Sequence, residues 1–171
     1  MKKNLVVFTL IVLCATGVSA QKETKKFSVG FGFEGGVPTG SYSNAYTSDI
    51  GITIRFSWLA GPGFVTLTTG AIGLVPKKVV GQSEKVGLQL PVRAGYKIII
   101  QHHFFVMGEL GYASTKVYYG SQGKVLSASQ GSFLVAPAIG VQFNAFEIAL
   151  RYESHSGDGG ALFGPRIGFN F

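Results

Sequence analysis

Few side chains in this sequence could catalyse a reaction or bind a metal ion. The histidines and the one cysteine are His102, His103, His155 and Cys14. They do not form the closely spaced ligand set of a zinc site. Serines flank His155 in the segment 153–156, but nucleophilic catalysis needs a serine, a histidine and an orienting acid in mutual reach, which adjacency in a loop does not supply. The sequence therefore predicts a protein that is not an enzyme, with no catalytic residues, no metal site and no cofactor.

The charged residues indicate a structural chemistry instead. All four arginines and four of the glutamates fall on the polar side of stretches that alternate in polarity: Glu34, Arg55, Arg93, Glu109, Glu147, Arg151, Glu153 and Arg166. Buried charges must be paired, and arginine pairs with carboxylates in a bidentate fork that lysine lacks. We therefore predict that these eight side chains form a neutral network of ion pairs inside the fold. The alternative is a set of solvated strand faces.

Eight stretches of strand character position these side chains: residues 27–37, 50–59, 64–74, 86–98, 103–115, 130–143, 146–153 and 161–171. In the last stretch, alternate residues are apolar, and the residues between them are mostly small, around Arg166. A period of two is typical of a strand with two different environments. Small residues around one arginine would coat a water-facing surface poorly. They fit the packed inside of a narrow barrel whose apolar side faces lipid.

The lengths of the stretches and of their connections agree with a membrane barrel. Strands of about eleven residues that rise about 3.3 Å per residue cover an apolar band of about 25 Å when they are tilted. The predicted long loops are 38–49, 75–85, 116–129 and 154–160, and the short turns are 60–63, 99–102 and 144–145. We predict an all-β, eight-stranded antiparallel up-and-down transmembrane β-barrel, with long loops outside and both termini periplasmic. A soluble ligand-binding barrel would require every face to be inverted.

The N-terminus has the features of a targeting segment. Lys2 and Lys3 precede an apolar run, and Val18-Ser19-Ala20 fits a cleavage site before Gln21. We predict a signal peptide at 1–20, a polar tail at 21–26 and an outer-membrane barrel at 27–171. The formal charge of +7 is not clustered in a patch, so no nucleic-acid partner is predicted.

The last strand resembles the C-terminal assembly signal of bacterial outer-membrane barrels, because it ends in the alternating aromatics Phe169 and Phe171. The resemblance implies an outer-membrane lipid environment and recognition by the barrel-assembly machinery. The segments 32–42, 90–97, 108–112 and 137–141 resemble the small outer membrane protein beta-barrel domain family, the PorT-like or OmpA-OmpX-type barrels of Bacteroidetes. That family implies a fold and a location in the outer membrane of a Gram-negative bacterium, and no common activity.

The sequence favours a structural or surface-interaction role, with a lumen plugged by the Arg/Glu pairs and a surface ligand that is not specified. The alternative is a narrow channel or carrier for small apolar molecules, with a gap lined by Met107, Leu134 and Leu162. An outer-membrane lipid-modifying enzyme is a less favoured alternative. Three prolines, Pro91, Pro137 and Pro165, lie inside predicted strands, and proline removes a hydrogen bond of the ladder. Bulges or strand ends are therefore expected near them.

Overall fold

The computed structural model describes residues 26–77, 85–100, 103–121, 124–157 and 159–171. The predicted signal peptide and residues 21–25 of the predicted polar tail lie outside the described residues.

The chain folds into eight strands and one short helix. The elements are β1 (Phe27–Gly40), α1 (Tyr42–Ala45), β2 (Tyr46–Ala60), β3 (Gly63–Pro76), β4 (Lys85–Ile100), β5 (Phe104–Ser121), β6 (Lys124–Phe143), β7 (Phe146–His155) and β8 (Gly160–Asn170). Each strand pairs antiparallel with the next, and β8 pairs with β1, so that the sheet closes into a barrel. The eight-stranded antiparallel barrel predicted from the sequence is confirmed. In the described part of the chain, no helix is long and apolar enough to cross a membrane.

The two faces of the sheet differ as the alternation predicted. Large apolar side chains cover the outside, where Phe133 is 71% exposed, Ile50 69% and Phe33 62%. Charged and small side chains lie inside, where Arg93 and Glu153 are each 0% exposed. A continuous apolar exterior is unfavourable in water and favourable against lipid tails. The inverted arrangement of a soluble ligand-binding barrel is not present.

Two predicted long loops are largely strand or helix. The segment 38–49 shrinks to a connection around α1, because β1 continues to Gly40 and β2 begins at Tyr46. Within 116–129, β5 and β6 keep pairing as far as Ser121 and Lys124. The sequence there is rich in serine and glycine and lacks the apolar alternation of the other strands. Backbone hydrogen bonds pair the two strands in this part of the hairpin, and their side chains do not alternate in polarity. The sequence pattern therefore did not predict strands there.

The three prolines produce neither bulges nor strand ends, which corrects that expectation. Pro91, Pro137 and Pro165 lie inside β4, β6 and β8. On one side of each proline the pairing is interrupted, and it resumes in the same register. A missing N–H therefore removes local ladder contacts without shifting the strand. The one register shift between described strands lies between Tyr46 and Ser48.

The β5–β6 hairpin extends beyond its neighbour on one side. The pairing of β6 with β7 begins at Leu134 and His155, and just above it the N–H of Ser156 donates to the carbonyl oxygen of Phe133 at 2.8 Å. From Lys124 to Ser132, β6 pairs with β5 and has no strand on its other side among the described residues. This stretch, residues 124–132, is called the free edge below.

Candidate functional site

The lumen contains all eight charged side chains that the sequence singled out. Alternation along β1, β2, β4, β5, β7 and β8 points each of them inward, and none is more than 5% exposed. They form hydrogen bonds and ion pairs with one another across the barrel. These eight residues, together with Lys97, are called the lumen network.

Glu34 of β1 is bound by three arginines from three other strands. Nη2 of Arg93 donates to both carboxylate oxygens at 3.1 Å, and Nη1 of Arg151 donates to Oε2. Nε of Arg166 lies 3.4 Å from Oε1. The Thr53 hydroxyl adds a hydrogen bond of 3.2 Å. One carboxylate thus links β1 to β4, β7 and β8.

Glu147 of β7 forms a second such centre. Its Oε1 accepts from Arg55 at 2.7 Å and from Arg166 at 2.6 Å, and its Oε2 accepts from the ammonium of Lys97. Arg166 contacts Glu34 as well, so it connects the two centres.

The other two glutamates complete the lumen network. Glu153 accepts from Arg93 at 2.7 Å and lies 3.7 Å from Arg151. Glu109 accepts a hydrogen bond of 2.6 Å from the Thr68 hydroxyl, and its oxygens lie 3.9 Å from Arg55 and from Arg93.

Ion pairs form both between neighbouring strands and across the lumen. Arg166 stands opposite Glu34 in the β1–β8 register and contacts it. Arg55 lies on the strand next to Glu34, but its shortest ion pair is with Glu147 of β7. Arg93 is closer to Glu153 and Glu34 than to Glu109 on the next strand. Long side chains in a narrow lumen reach the opposite wall, so adjacency in the sheet does not decide the partner.

Sequence reasoning missed two charged members of the interior. Lys97 was not among the eight charged residues singled out, yet it is 4% exposed, donates to Gln142 at 2.6 Å and lies 4.2 Å from the centre of the Phe105 ring. Its place on the inward phase of β4, four residues after Arg93, was the available signal. Asp49 is buried too, and its Oδ1 has no hydrogen-bond partner among the described residues. The described interior therefore contains five arginine or lysine side chains and five carboxylates, rather than four of each.

Glycines make the room for Arg166. A Cβ atom at Gly32 would lie 2.6–2.8 Å from three atoms of the Arg166 guanidinium group, and one at Gly168 would lie 2.6 Å from its Nη1. Such distances are too short for real contacts, so the guanidinium occupies the space that side chains at these two positions would fill.

The apolar residues suggested for a channel belong to three different buried clusters. Met107, Leu134 and Leu162 are all buried, but each packs in a separate cluster. Leu162 packs with Tyr42, Tyr46 and Leu74 at the α1 end. In the described part of the chain, no group of three or more histidine, cysteine or acidic residues could hold a metal ion.

His155 contacts a serine that the sequence did not single out. Ser132 Oγ of β6 lies 2.9 Å from His155 Nδ1, and Glu153 Oε1 lies 3.1 Å from His155 Nε2. Ser154 follows Glu153 on β7, and its position alternates with that of His155, because successive side chains of a strand point to opposite faces. The serine in contact with His155 therefore comes from the neighbouring strand β6 and not from the 153–156 segment.

The two terminal aromatics lie on the outside, where β8 meets β1. Phe169 stands opposite Phe31, and its ring lies 5.2 Å from that of Phe146. Phe171 exchanges backbone hydrogen bonds with Val29, at 2.8 and 3.2 Å, and its ring lies 6.4 Å from that of Phe31. The final residue thus contributes to the closure of the barrel.

Comparison with solved structures places the fold among small outer-membrane barrels. The attachment invasion locus protein Ail of Yersinia pestis superimposes with a TM-score of 0.64 at 17% identity, over 85% of this chain and 97% of Ail. The N-terminal β-barrel domain of Pseudomonas aeruginosa OprF gives 0.63 at 14% identity, over 85% and 98%. Neisserial surface protein A gives 0.53 at 11% identity, over 86% and 98%. No family model matches the chain, and no curated protein matches it in sequence. At these identities, the likeness shows the fold alone.

Proposed function

We propose that this protein is a closed, non-conducting barrel of the outer membrane with a structural or surface-interaction role. The observation that carries the proposal is the lumen network, which joins opposite walls of the barrel with side chains that are at most 5% exposed. Eight strands leave an interior just wide enough for side chains. A lumen filled by ion-paired arginine and glutamate leaves no continuous path for hydrated ions.

The location and orientation are part of the same proposal. The apolar exterior supports insertion in lipid, and the fold shared with small outer-membrane barrels supports the outer membrane of a Gram-negative bacterium. The turn at Gly61 and the turn at 144–145 fall at the end where the chain begins and stops, which favours a periplasmic position for both termini. From the resemblance of its sequence segments, we also propose that this chain is one of the PorT-like barrels of Bacteroidetes.

Recognition by the barrel-assembly machinery is proposed to depend on Phe169 and Phe171. Both aromatics are outward, at 38% and 50% exposed, and both lie where the last strand meets the first. A partner that binds β8 during assembly would therefore leave this strand beside β1, with which it pairs.

The β5–β6 hairpin supports a role in surface interaction. It extends past β7 at the long-loop end and has the free edge described above. Lys116 lies in the hairpin, Lys124 begins β6, and Lys77 follows the end of β3 at the same end of the barrel. Ail of Yersinia pestis has been solved in complex with the heparin analogue sucrose octasulfate. We infer that an anionic partner would be attracted to this end of the barrel.

Heparin is a suitable probe for that inference. We expect the purified barrel to be retained on immobilised heparin and to elute with salt, because ion pairs at an exposed surface are screened. A triple variant with Lys77, Lys116 and Lys124 changed to glutamine should elute at lower salt. Lys26→Gln, which lies at the opposite end, is the control and should elute like wild type. Equal elution of the triple variant would contradict the proposed surface.

Conductance tests the closed lumen and separates it from the channel alternative. In planar bilayers, the wild-type protein is expected to give no steady ionic current. Glu34→Ala or Arg93→Ala should add current, because either change removes side-chain volume and leaves a partner unpaired. A carrier for small apolar molecules would instead require an opening through the clusters around Met107, Leu134 and Leu162. Large, steady wild-type conductance would reject the closed barrel.

A further inference from the structure

A serine, a histidine and a glutamate lie in a hydrogen-bonded row at the α1 end of the lumen. Ser132 Oγ is 2.9 Å from His155 Nδ1, and His155 Nε2 is 3.1 Å from Glu153 Oε1. The three residues are 7%, 3% and 0% exposed. They come from two adjacent strands, β6 and β7, so their relative positions are fixed by the sheet. A nucleophile, a base within hydrogen-bond reach and a third group that orients the base are the features of activated serines.

The contacts of His155 favour the tautomer that a general base requires. With its proton on Nε2, the ring donates to Glu153 and leaves a lone pair on Nδ1 that faces Ser132. The amide nitrogen of Gln89 also lies 3.1 Å from Nε2, and an amide nitrogen and a protonated Nε2 are both donors. The Glu153 carboxylate can only accept, so we assign the imidazole proton to Nε2 and turn the Gln89 amide so that its oxygen accepts from the same N–H. The Nδ1 atom is then free to accept the hydroxyl proton of Ser132.

A small cavity lies next to this serine. It has a volume of about 90 Å³ and is lined by Ser132, Thr115, Gln130, Tyr42, Tyr46 and Leu74, together with Val117. The hydroxyl of Thr115 is buried and has no hydrogen-bond partner in the described part of the chain. Thr115 stands opposite Gln130 in the β5–β6 register, on the same inward face as Ser132. The cavity thus places the unpaired hydroxyl of Thr115 beside the hydroxyl of Ser132.

The volume limits what could bind there. An engineered protein cavity of about 150 Å³ binds benzene, so this cavity suits a smaller group, such as an acetyl group. Tyr42 packs over the imidazole, with ring centres 5.3 Å apart, and covers that side of His155. A lipid acyl chain would not fit.

We propose that Ser132 is an activated nucleophile that accepts a short acyl group from a small ester. His155 Nδ1 takes the hydroxyl proton as Ser132 Oγ forms a bond to the carbonyl carbon. The bond from that carbon to the alcohol oxygen then breaks, and the leaving alcohol takes the proton from Nδ1. Water, deprotonated by the same nitrogen, later releases the acid and restores Ser132. Thr115 donates to the carbonyl oxygen, and Glu153 is a positioning residue.

This inference goes beyond the structural role, which needs no reactive serine, and it departs from the prediction of a protein without catalytic residues. That prediction considered only the serines adjacent to His155 in the chain. The reactive group proposed here depends on Ser132, which is more than twenty positions away and is brought in by the pairing of β6 with β7.

Methanesulfonyl fluoride tests the proposal, since it is small and sulfonylates activated serines. The folded wild-type barrel in detergent should gain one methanesulfonyl group, and peptide mapping should place it on Ser132. Ser57, which is also buried in the lumen, at 6% exposed, is the internal control and should remain unmodified. The larger phenylmethanesulfonyl fluoride should react much more slowly, because the cavity excludes its ring.

Two variants complete the test. Ser132→Ala should abolish labelling, and His155→Gln should slow it about 100-fold or more, which is the usual contribution of a general base. Heat-dependent electrophoretic mobility checks that each variant is folded. If His155→Gln does not fold, the proposal is tested by whether the wild-type protein is labelled at Ser132 and not at Ser57. An unlabelled wild-type protein, equal labelling of Ser57, or an unchanged rate in folded His155→Gln would overturn the proposal.

Discussion

Glu34 and Arg93 belong to strands that are not neighbours, β1 and β4, yet their side chains meet in the lumen at 3.1 Å. Arg93 also contacts Glu153 of β7, at 2.7 Å. Three walls of the barrel are therefore connected through one guanidinium group. Such contacts fix the cross-section of the barrel in a way that backbone ladders between adjacent strands cannot.

Truncation of this arginine should destabilise the barrel. Arg93→Ala leaves Glu34 and Glu153 with fewer partners in a buried site, and removal of one partner of a buried ion pair typically costs about 3–5 kcal/mol. We expect a lower unfolding temperature in detergent, measured by heat-dependent electrophoretic mobility. Lys116→Ala, an exposed change on β5, should leave the temperature near that of wild type. Equal stability of the two variants would show that the lumen network contributes little.

A methyl group at Gly32 should disturb Arg166. The new Cβ would lie 2.6–2.8 Å from the guanidinium atoms, and Arg166 cannot move freely because it contacts both Glu34 and Glu147. Overpacking of this kind costs about 1–3 kcal/mol. Gly35→Ala is the matched control on the same strand, since the nearest atom to its Cβ, beyond its chain neighbours, would be the Asp49 carbonyl oxygen at 3.5 Å. We expect chemical denaturation to show a loss for Gly32→Ala and a much smaller one for Gly35→Ala.

Removal of the last residue should impair assembly more than stability. Burial of one aromatic side chain accounts for about 2–3 kcal/mol, but Phe171 also forms the backbone hydrogen bonds that join the end of the chain to Val29. We expect the deletion of Phe171 to lower the amount of barrel in the outer-membrane fraction severalfold. Phe133→Ala, which removes an outward aromatic away from the β1–β8 pairing, should have a small effect. Normal membrane levels of the deletion would contradict the proposed assembly signal.

Cysteine labelling can determine the orientation. Lys97 cannot serve as a marker, because its ammonium is buried against Glu147 and should not react from either side. We expect Lys77→Cys to react with an impermeant maleimide on intact cells, and Pro62→Cys, in the turn between β2 and β3, to react only after the outer membrane is permeabilised. Labelling of Pro62→Cys alone in intact cells would reverse the orientation.

The sequence predicted the parts of the fold that depend on local pattern. Inward and outward faces alternate every second residue, so Arg166 and Phe169 could be placed on opposite sides without any knowledge of their neighbours. The pattern weakens in 116–129, because strands that continue beyond the lipid band no longer need an apolar face. The hairpin was therefore predicted as a loop.

The partners within the site could not be predicted in the same way. The width of the barrel and the stagger of its strands determine which arginine reaches Glu147. Neither property can be deduced from one stretch of the sequence. The same holds for Ser132, whose contact with His155 follows from the β6–β7 register. Lys97 could have been included from the pattern alone, because it lies on the same side of β4 as Arg93.

The contacts of Glu34 also have an evolutionary consequence. Its carboxylate is shared by arginines from β4, β7 and β8, so a change of charge at this position requires compensation at sites far apart in the gene. Outward positions such as Ile50 and Phe133 are 69% and 71% exposed, and each can exchange one apolar residue for another singly. Related sequences should therefore drift freely on the outside of the barrel, while the charges inside are replaced together as a correlated set or are kept.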